Sequence, residues 1–248
     1  MDIFWFLTFA VLLAGYFALE GFDIGLGVLL PVLGRSPAAR DRLVGAMAPF
    51  VLANEVWLVA LAGVLFGAFP VLEGQALSRL YPLVVALLLA WIVRDAGLWF
   101  RRRSGGAAWR LVWDGALCAG SAGLALSWGA ILVAVARGLP ASPLDAAGIA
   151  GGVALLALLA WHGRTFAAWR LQDGPGRSGR ALLLSACAAA APAVLVMAAA
   201  AAHMLGNAAP DQTLTVLSVM VVPVAPILVG AQVWVWRTFS RGALPTFF

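Results

Sequence analysis

The sequence predicts an all-α fold: a polytopic membrane helix bundle of about seven transmembrane helices, with residues 1–248 forming a single integral membrane domain. Three observations carry this. Hydrophobic residues fill 63% of the 248 positions and charged residues only 11%, far from the composition of a soluble domain. Apolar runs recur at about 4–31, 47–70, 80–100, 112–136, 146–169, 181–205 and 214–237, and each reaches the ~20 residues a helix needs to cross the hydrocarbon. The segments between the runs are short, which leaves no room for a soluble domain and makes sequential helices neighbours.

The first run opens Met1-Asp2-Ile3-Phe4-Trp5 without a positive n-region and is too long for a signal h-region, so it reads as a retained span. The fourth and sixth runs each hold one mid-helix cysteine, Cys118 and Cys187, which indicates neither a disulfide framework nor a thiolate metal site. The Gly/Pro-rich stretch 170–180 reads as a loop by turn chemistry. The sixth run, with Ala188–Ala191 and Ala198–Ala202, suits close packing of small residues. Pro192 in that run, and Pro223 and Pro226 in the seventh, predict kinks that neighbouring helices tolerate within a membrane. The chain shows no convincing internal repeat.

All sixteen basic residues are arginine, and the net charge is +5. Their placement argues against a nucleic-acid partner. Arg35, Arg40 and Arg42 follow the first run; Arg101, Arg102, Arg103 and Arg110 the third; Arg170, Arg177 and Arg180 the fifth; Arg237 and Arg241 the seventh. The alternate loops hold only Arg79 and Arg137. The positive-inside rule then places the N-terminus outside and the C-terminus in the cytoplasm, with room for anionic membrane lipid at the basic face. Trp99, Trp109, Trp113, Trp169, Trp234 and Trp236 gather at the same face as an aromatic belt.

Ionisable residues interrupt the apolar runs. Glu20 and Asp23, three residues apart on one face of the first helix, lie in its cytoplasmic half among Gly21, Gly25 and Gly27. Asn54 and Glu55 are expected in the first turns of the second helix, Arg94 and Asp95 in the cytoplasmic third of the third, Asp114 near the interface and His162 low in the fifth. A charge at the bilayer centre costs roughly 2.5–3.5 kcal/mol even on lenient insertion scales, so such groups pair, face the bundle interior or relay protons. Two readings stand. Arg94 neutralises an acid and fixes helix register, or the acids it cannot satisfy hold protons or water and form a relay from the cytoplasmic side. His162 reads as a neutral, hydrogen-bonded histidine; with His203 at another depth, no axial pair for a haem is present.

Glu20-Gly21-Phe22-Asp23-Ile24-Gly25 with Gly34-Arg35, then Asn54-Glu55-Val56-Trp57-Leu58 and Gly63-Val64-Leu65-Phe66-Gly67-Ala68-Phe69-Pro70, resemble the first two helices of subunit II of cytochrome bd-type quinol oxidases. Weaker echoes follow at Arg94, Trp113-Asp114, Gly120-Ser121, His162-Gly163, Pro226, Trp234 and Phe239. The resemblance implies a multi-pass protein of a bacterial or archaeal plasma membrane, paired with a haem-bearing subunit I. That partner would hold haem b, haem d and the quinol site, in a complex that oxidises quinol and reduces oxygen to water. It implies no cofactor or metal held by this chain, and a scaffold that supplies a cytoplasmic proton pathway through Glu20, Asp23, Asn54, Glu55, Arg94, Asp95 and His162.

The departures are specific. Val51-Leu52-Ala53 stands where the family pattern reads Trp-Asp-Gly, so Leu52 replaces an acid. Trp99 replaces a second acid on the third helix, and Asp95, one turn away on the same face, is the candidate substitute. The resemblance also implies two further helices between the sixth and seventh, a gap that a small accessory subunit would fill. The alternatives are a scaffold without a proton path and a proton-coupled transporter. The second would bring inverted repeats and broken helices at the midplane, which the sequence does not show.

Overall fold

The computed structural model describes residues 1–171 and 178–242. The described residues form nine helices: α1 (Asp2–Leu33), α2 (Pro37–Ala68), α3 (Pro70–Arg79), α4 (Tyr81–Phe100), α5 (Ala107–Ala136), α6 (Ala146–Leu171), α7 (Gly179–Leu205), α8 (Asp211–Val221) and α9 (Ala225–Phe239). Six of them (α1, α2, α4, α5, α6, α7) are long and apolar enough to cross a membrane. The pair α8 and α9, bent by 41°, makes a seventh as one broken span. The break falls at Val222–Val224, where Pro223 removes a backbone donor. By contrast, α7 runs through Pro192 as a single helix. Most of the predicted loop 170–180, with Arg177, lies outside the described residues.

Two elements differ from the sequence-based expectation. The segment after Phe69 coils into the short helix α3, with Pro70 at its first position and no buried residue. The second span begins at Pro37 rather than near 47, because Ser36 caps it: the Ser36 hydroxyl accepts the Ala39 N–H at 3.2 Å. Asn54 and Glu55 therefore sit mid-helix, about 25 Å from its start at 1.5 Å per residue, not in the first turns. The charged opening Pro-Ala-Ala-Arg-Asp-Arg hides this extra helix from any hydropathy reading.

Helix α1 is the axis of the bundle and packs against α2, α5, α6 and α7. Glycines let it approach its neighbours at backbone distance. A Cβ on Gly25 would overlap the Leu159 carbonyl of α6, and one on Gly163 would overlap the backbone of Gly25 and Leu26. A second close crossing joins α4 to α5, where Gly120 lies directly on the backbone of Arg94 and Gly97 on that of Leu117. Buried apolar residues form one cluster around Trp5, Tyr16, Phe17, Leu124, Trp128 and Leu159. Another surrounds Phe22, Phe50 and Phe166, with the Phe22 and Phe166 rings stacked at 3.9 Å. Glu20 and Asp23 fall between the two along α1.

The ends are tied differently. At one end Arg79 donates to the Leu139 carbonyl at 3.1 Å, and Gly138 and Leu139 both take positive φ to close α5. Asp145 caps α6 there, accepting the Gly148 N–H at 2.9 Å and pairing with Arg137 at 2.6 Å. These two bonds, the backbone one foremost, hold the Asp145 carboxyl below the usual carboxylate range. At the arginine-rich end Arg101, only 1% exposed, binds Asp41 of α2 at 2.8 Å and Asp114 of α5 at 2.9 Å. Arg40 adds a contact to Asp114 at 3.3 Å. The tryptophans of the predicted belt meet at this end, Trp109 with Trp113 and Trp169 with Trp236.

Gly163→Ala is expected to force α1 and α6 apart at a cost of at least about 1–3 kcal/mol, the range for overpacking a core. Gly115→Ala, whose added Cβ meets nothing within 4 Å, is the matched control. Thermal unfolding followed by size-exclusion chromatography in mild detergent should show a lowered midpoint for the first variant and none for the second.

Candidate functional site

The site is built on Arg94, which is 2% exposed. Gly120 lets the α5 backbone pack directly on that of Arg94, whose side chain extends across the bundle. The guanidinium fork then reaches three helices at once. Nη1 pairs with Glu20 of α1 and Nη2 with Glu55 of α2, while Nε lies 3.0 Å from Asp95 Oδ1 on its own helix. The indole N–H of Trp91 donates to Glu55 Oε1 at 2.8 Å. A planar five-donor cation suits this arrangement in a way an ammonium does not.

Asp23, fully buried, stands one turn along α1 from Glu20 and is served by amides rather than by Arg94. Asn54 Nδ2 donates to Asp23 Oδ2 at 2.6 Å and to the Leu19 carbonyl at 3.2 Å. Gln232 of α9 donates to Asn54 Oδ1 at 2.8 Å and accepts from the Trp57 indole at 3.2 Å. Glu20 Oε2 and Asp23 Oδ1 are buried with no hydrogen-bond partner among the described residues. One cation thus faces four acids, and full ionisation would leave three uncompensated charges inside the bundle.

The structure brings together six of the predicted site residues: Glu20, Asp23, Asn54, Glu55, Arg94 and Asp95. His162 is not bonded to them. It is buried on α6, with Nε2 against the Ala18 carbonyl at 3.1 Å and Nδ1 on the Ser185 hydroxyl at 2.8 Å. A carbonyl only accepts, so Nε2 carries the hydrogen. With both ring nitrogens engaged and the ring held against Phe22, His162 offers no lone pair to an iron, and His203 is exposed at the end of α7. Among the described residues the two histidines therefore do not form an axial pair for a haem. Among the described residues no group of three or more His, Cys, Asp or Glu side chains is arranged to hold a metal.

Leu52 and Trp99, the positions where the resemblance expects acids, are 58% and 36% exposed on the outer surfaces of α2 and α4. Asp95 is the cluster member nearest that surface, with a quarter of its side chain exposed (25%) beside Ile92 and Val93. Sequence reasoning missed Gln232 and the Arg101–Asp41–Asp114 network. Spacing carried no signal for either, since Gln232 lies 178 residues from the asparagine it holds.

A membrane helix bundle with a buried arginine bridging acids of its first two helices defines a polytopic membrane protein with a charged core. The comparisons specify it: residues 1–205 match the family described as cytochrome bd terminal oxidase subunit II, and the chain belongs to that family. It is 35% identical over 173 residues to the cytochrome bd ubiquinol oxidase subunit 2 of Bacillus subtilis, covering 65% of this chain and 51% of that protein. It is 34% identical over 117 residues to the cytochrome bd-I ubiquinol oxidase subunit 2 of Escherichia coli K12, covering 47% of this chain and 31% of that protein. The aligned part thus spans about half or less of these relatives.

Arg94→Met removes the only cation bonded to Glu20 and Glu55 among the described residues. Breaking a buried pair from one side costs about 3–5 kcal/mol, so the variant is expected to lose its monodisperse detergent-solubilised species. Adding Glu20→Gln should restore part of the thermal midpoint by removing one of the charges left behind.

Proposed function

We propose that this chain is the non-haem subunit of a bd-type quinol:oxygen oxidoreductase in a bacterial plasma membrane. In this reading it docks on and stabilises a haem-bearing subunit I, which carries haem b, haem d and the quinol site. Its own contribution is a proton pathway from the cytoplasm, the arginine-rich end facing inward as the positive-inside rule requires. The observation that carries this is the mismatch between one guanidinium and four acids, three of them buried. At a cost of roughly 2.5–3.5 kcal/mol per charge at mid-bilayer, the surplus acids hold protons or water.

A proton arriving at Asp23 or Glu20 has open carboxylate oxygens to occupy, Asp23 Oδ1 and Glu20 Oε2. Glu20, Glu55 and Asp95 share one guanidinium, so a proton passed from one to the next leaves the net charge around Arg94 unchanged. Asp95, partly exposed on an otherwise apolar face, is the exit toward the partner. His162 takes no direct part in this route and braces α1 against α6 and α7 through Ala18 and Ser185.

A second reading, a scaffold with no proton path, is favoured by one observation. Leu52 and Trp99 remove two acids that the family pattern provides, and Arg94 already pairs three of those that remain. Carboxamide variants separate the two. On the relay reading Asp23→Asn and Glu55→Gln each slow oxygen reduction by about 10²-fold, the low end for loss of a proton-transfer group, with the haem spectrum of the purified complex unchanged. Wild-type turnover in an intact complex would leave the scaffold.

A further inference from the structure

The residues that match the family end at 205, yet the polar network does not. Gln232, 7% exposed on α9, is joined to Asp23 through one intermediate, and the direction of every bond in that chain is determined. The Trp57 indole only donates, so the Gln232 atom facing it is the carbonyl oxygen, and its NH2 turns to Asn54. Asn54 must then present its own oxygen to Gln232 and its NH2 to Asp23. The Leu19 carbonyl, which only accepts, demands the same orientation from the other side. Both hydrogens of the Asn54 amide are thereby committed, one to Leu19 and one to Asp23 Oδ2.

Gln232 also forms the inner wall of a cleft of about 780 Å³ between α9 and the core, with Leu19, Trp169, Trp236 and Arg237 around it. The cleft opens at the arginine-rich end. Between it and the buried Asp23 stand the amides of Gln232 and Asn54. An amide neither gains nor loses a proton in this setting, so the pair orients and seals but does not conduct.

We infer that Gln232 is a positioning residue: it holds Asn54 against Asp23 Oδ2, closes Asp23 off from the α9 cleft, and leaves Oδ1 as the one oxygen of Asp23 open to exchange. This goes beyond the proposed relay and does not require it. The geometry of Asp23 is set by Gln232 whether or not protons cross the chain.

The test uses the protein purified from its membrane with the partner it holds, treated with a hydrophobic carbodiimide, the adducts at Asp23 and Glu20 being quantified on their shared peptide by tandem mass spectrometry. Gln232→Ala removes both hydrogen bonds and opens the wall, and Gln232→Leu removes the bonds while keeping the bulk. The expected result is severalfold more adduct at Asp23 with Glu20 at its wild-type level, since Glu20 is held by Arg94 and not by this chain of amides. Asp23 adduct at the wild-type level in both variants, or Glu20 rising in step with it as a general loosening would cause, overturns the inference. Should Gln232→Ala fail to yield a stable protein, Gln232→Leu decides alone by the same two outcomes. Turnover of Asp23→Asn, measured separately, judges the relay and leaves this result standing.

Discussion

The Arg94 guanidinium is the constraint around which the bundle is arranged. A cation only 2% exposed is cut off from bulk solvent, and its attraction to carboxylates offsets desolvation only if the geometry is close and its donors are used. Glu20 and Glu55 meet that demand from two different helices, so α1, α2 and α4 can take only one mutual register. Gly120 and Gly97 follow from the same demand. Without backbone contact between α4 and α5, Arg94 would have space to turn away from the acids.

The second arginine layer repeats the device near the surface. Arg101, at the C-cap of α4, lies two helical turns beyond Arg94, roughly 10 Å at 1.5 Å per residue, and binds α2 and α5 through Asp41 and Asp114. The layers differ in balance. Around Arg94 acids outnumber the cation, while around Asp41 and Asp114 the arginines are in excess, Arg40, Arg101, Arg102 and Arg110 all lying within ion-pair distance. The outer layer therefore reads as a clamp on helix ends, and the inner one as a cluster with more acids than its one cation can neutralise.

Membership of the subunit II family accounts for α1 to α7, and the site departs from the family pattern in a physically coherent way. The two positions where the resemblance expects an acid, Leu52 and Trp99, are apolar and face outward. The acids that remain are those Arg94 can reach, together with Asp23, which has its own amide support. Beyond the matched residues, α9 adds Gln232, which bonds to the asparagine that holds Asp23.

Much of this was legible in the amino-acid order. Length and apolarity determined the membrane bundle, and the spacing of Glu20 and Asp23 placed both on one helical face. Pro223 with Pro226 predicted a kink in the final span, which the structure shows as a break of 41°. These are local properties, set by bond geometry and by the cost of polar groups in hydrocarbon. The start of α2 was not legible, because charged residues conceal a helix whose beginning depends on the Ser36 cap. Only the tertiary structure decided which acids share Arg94, that His162 stands apart with Ser185 and Ala18, and that Gln232 reaches back to Asn54. Apart from that of the neighbouring Asp95, each of those contacts joins residues well separated in the chain. Their partners are chosen by helix crossing points that glycine contacts permit, and no sequence spacing encodes that choice.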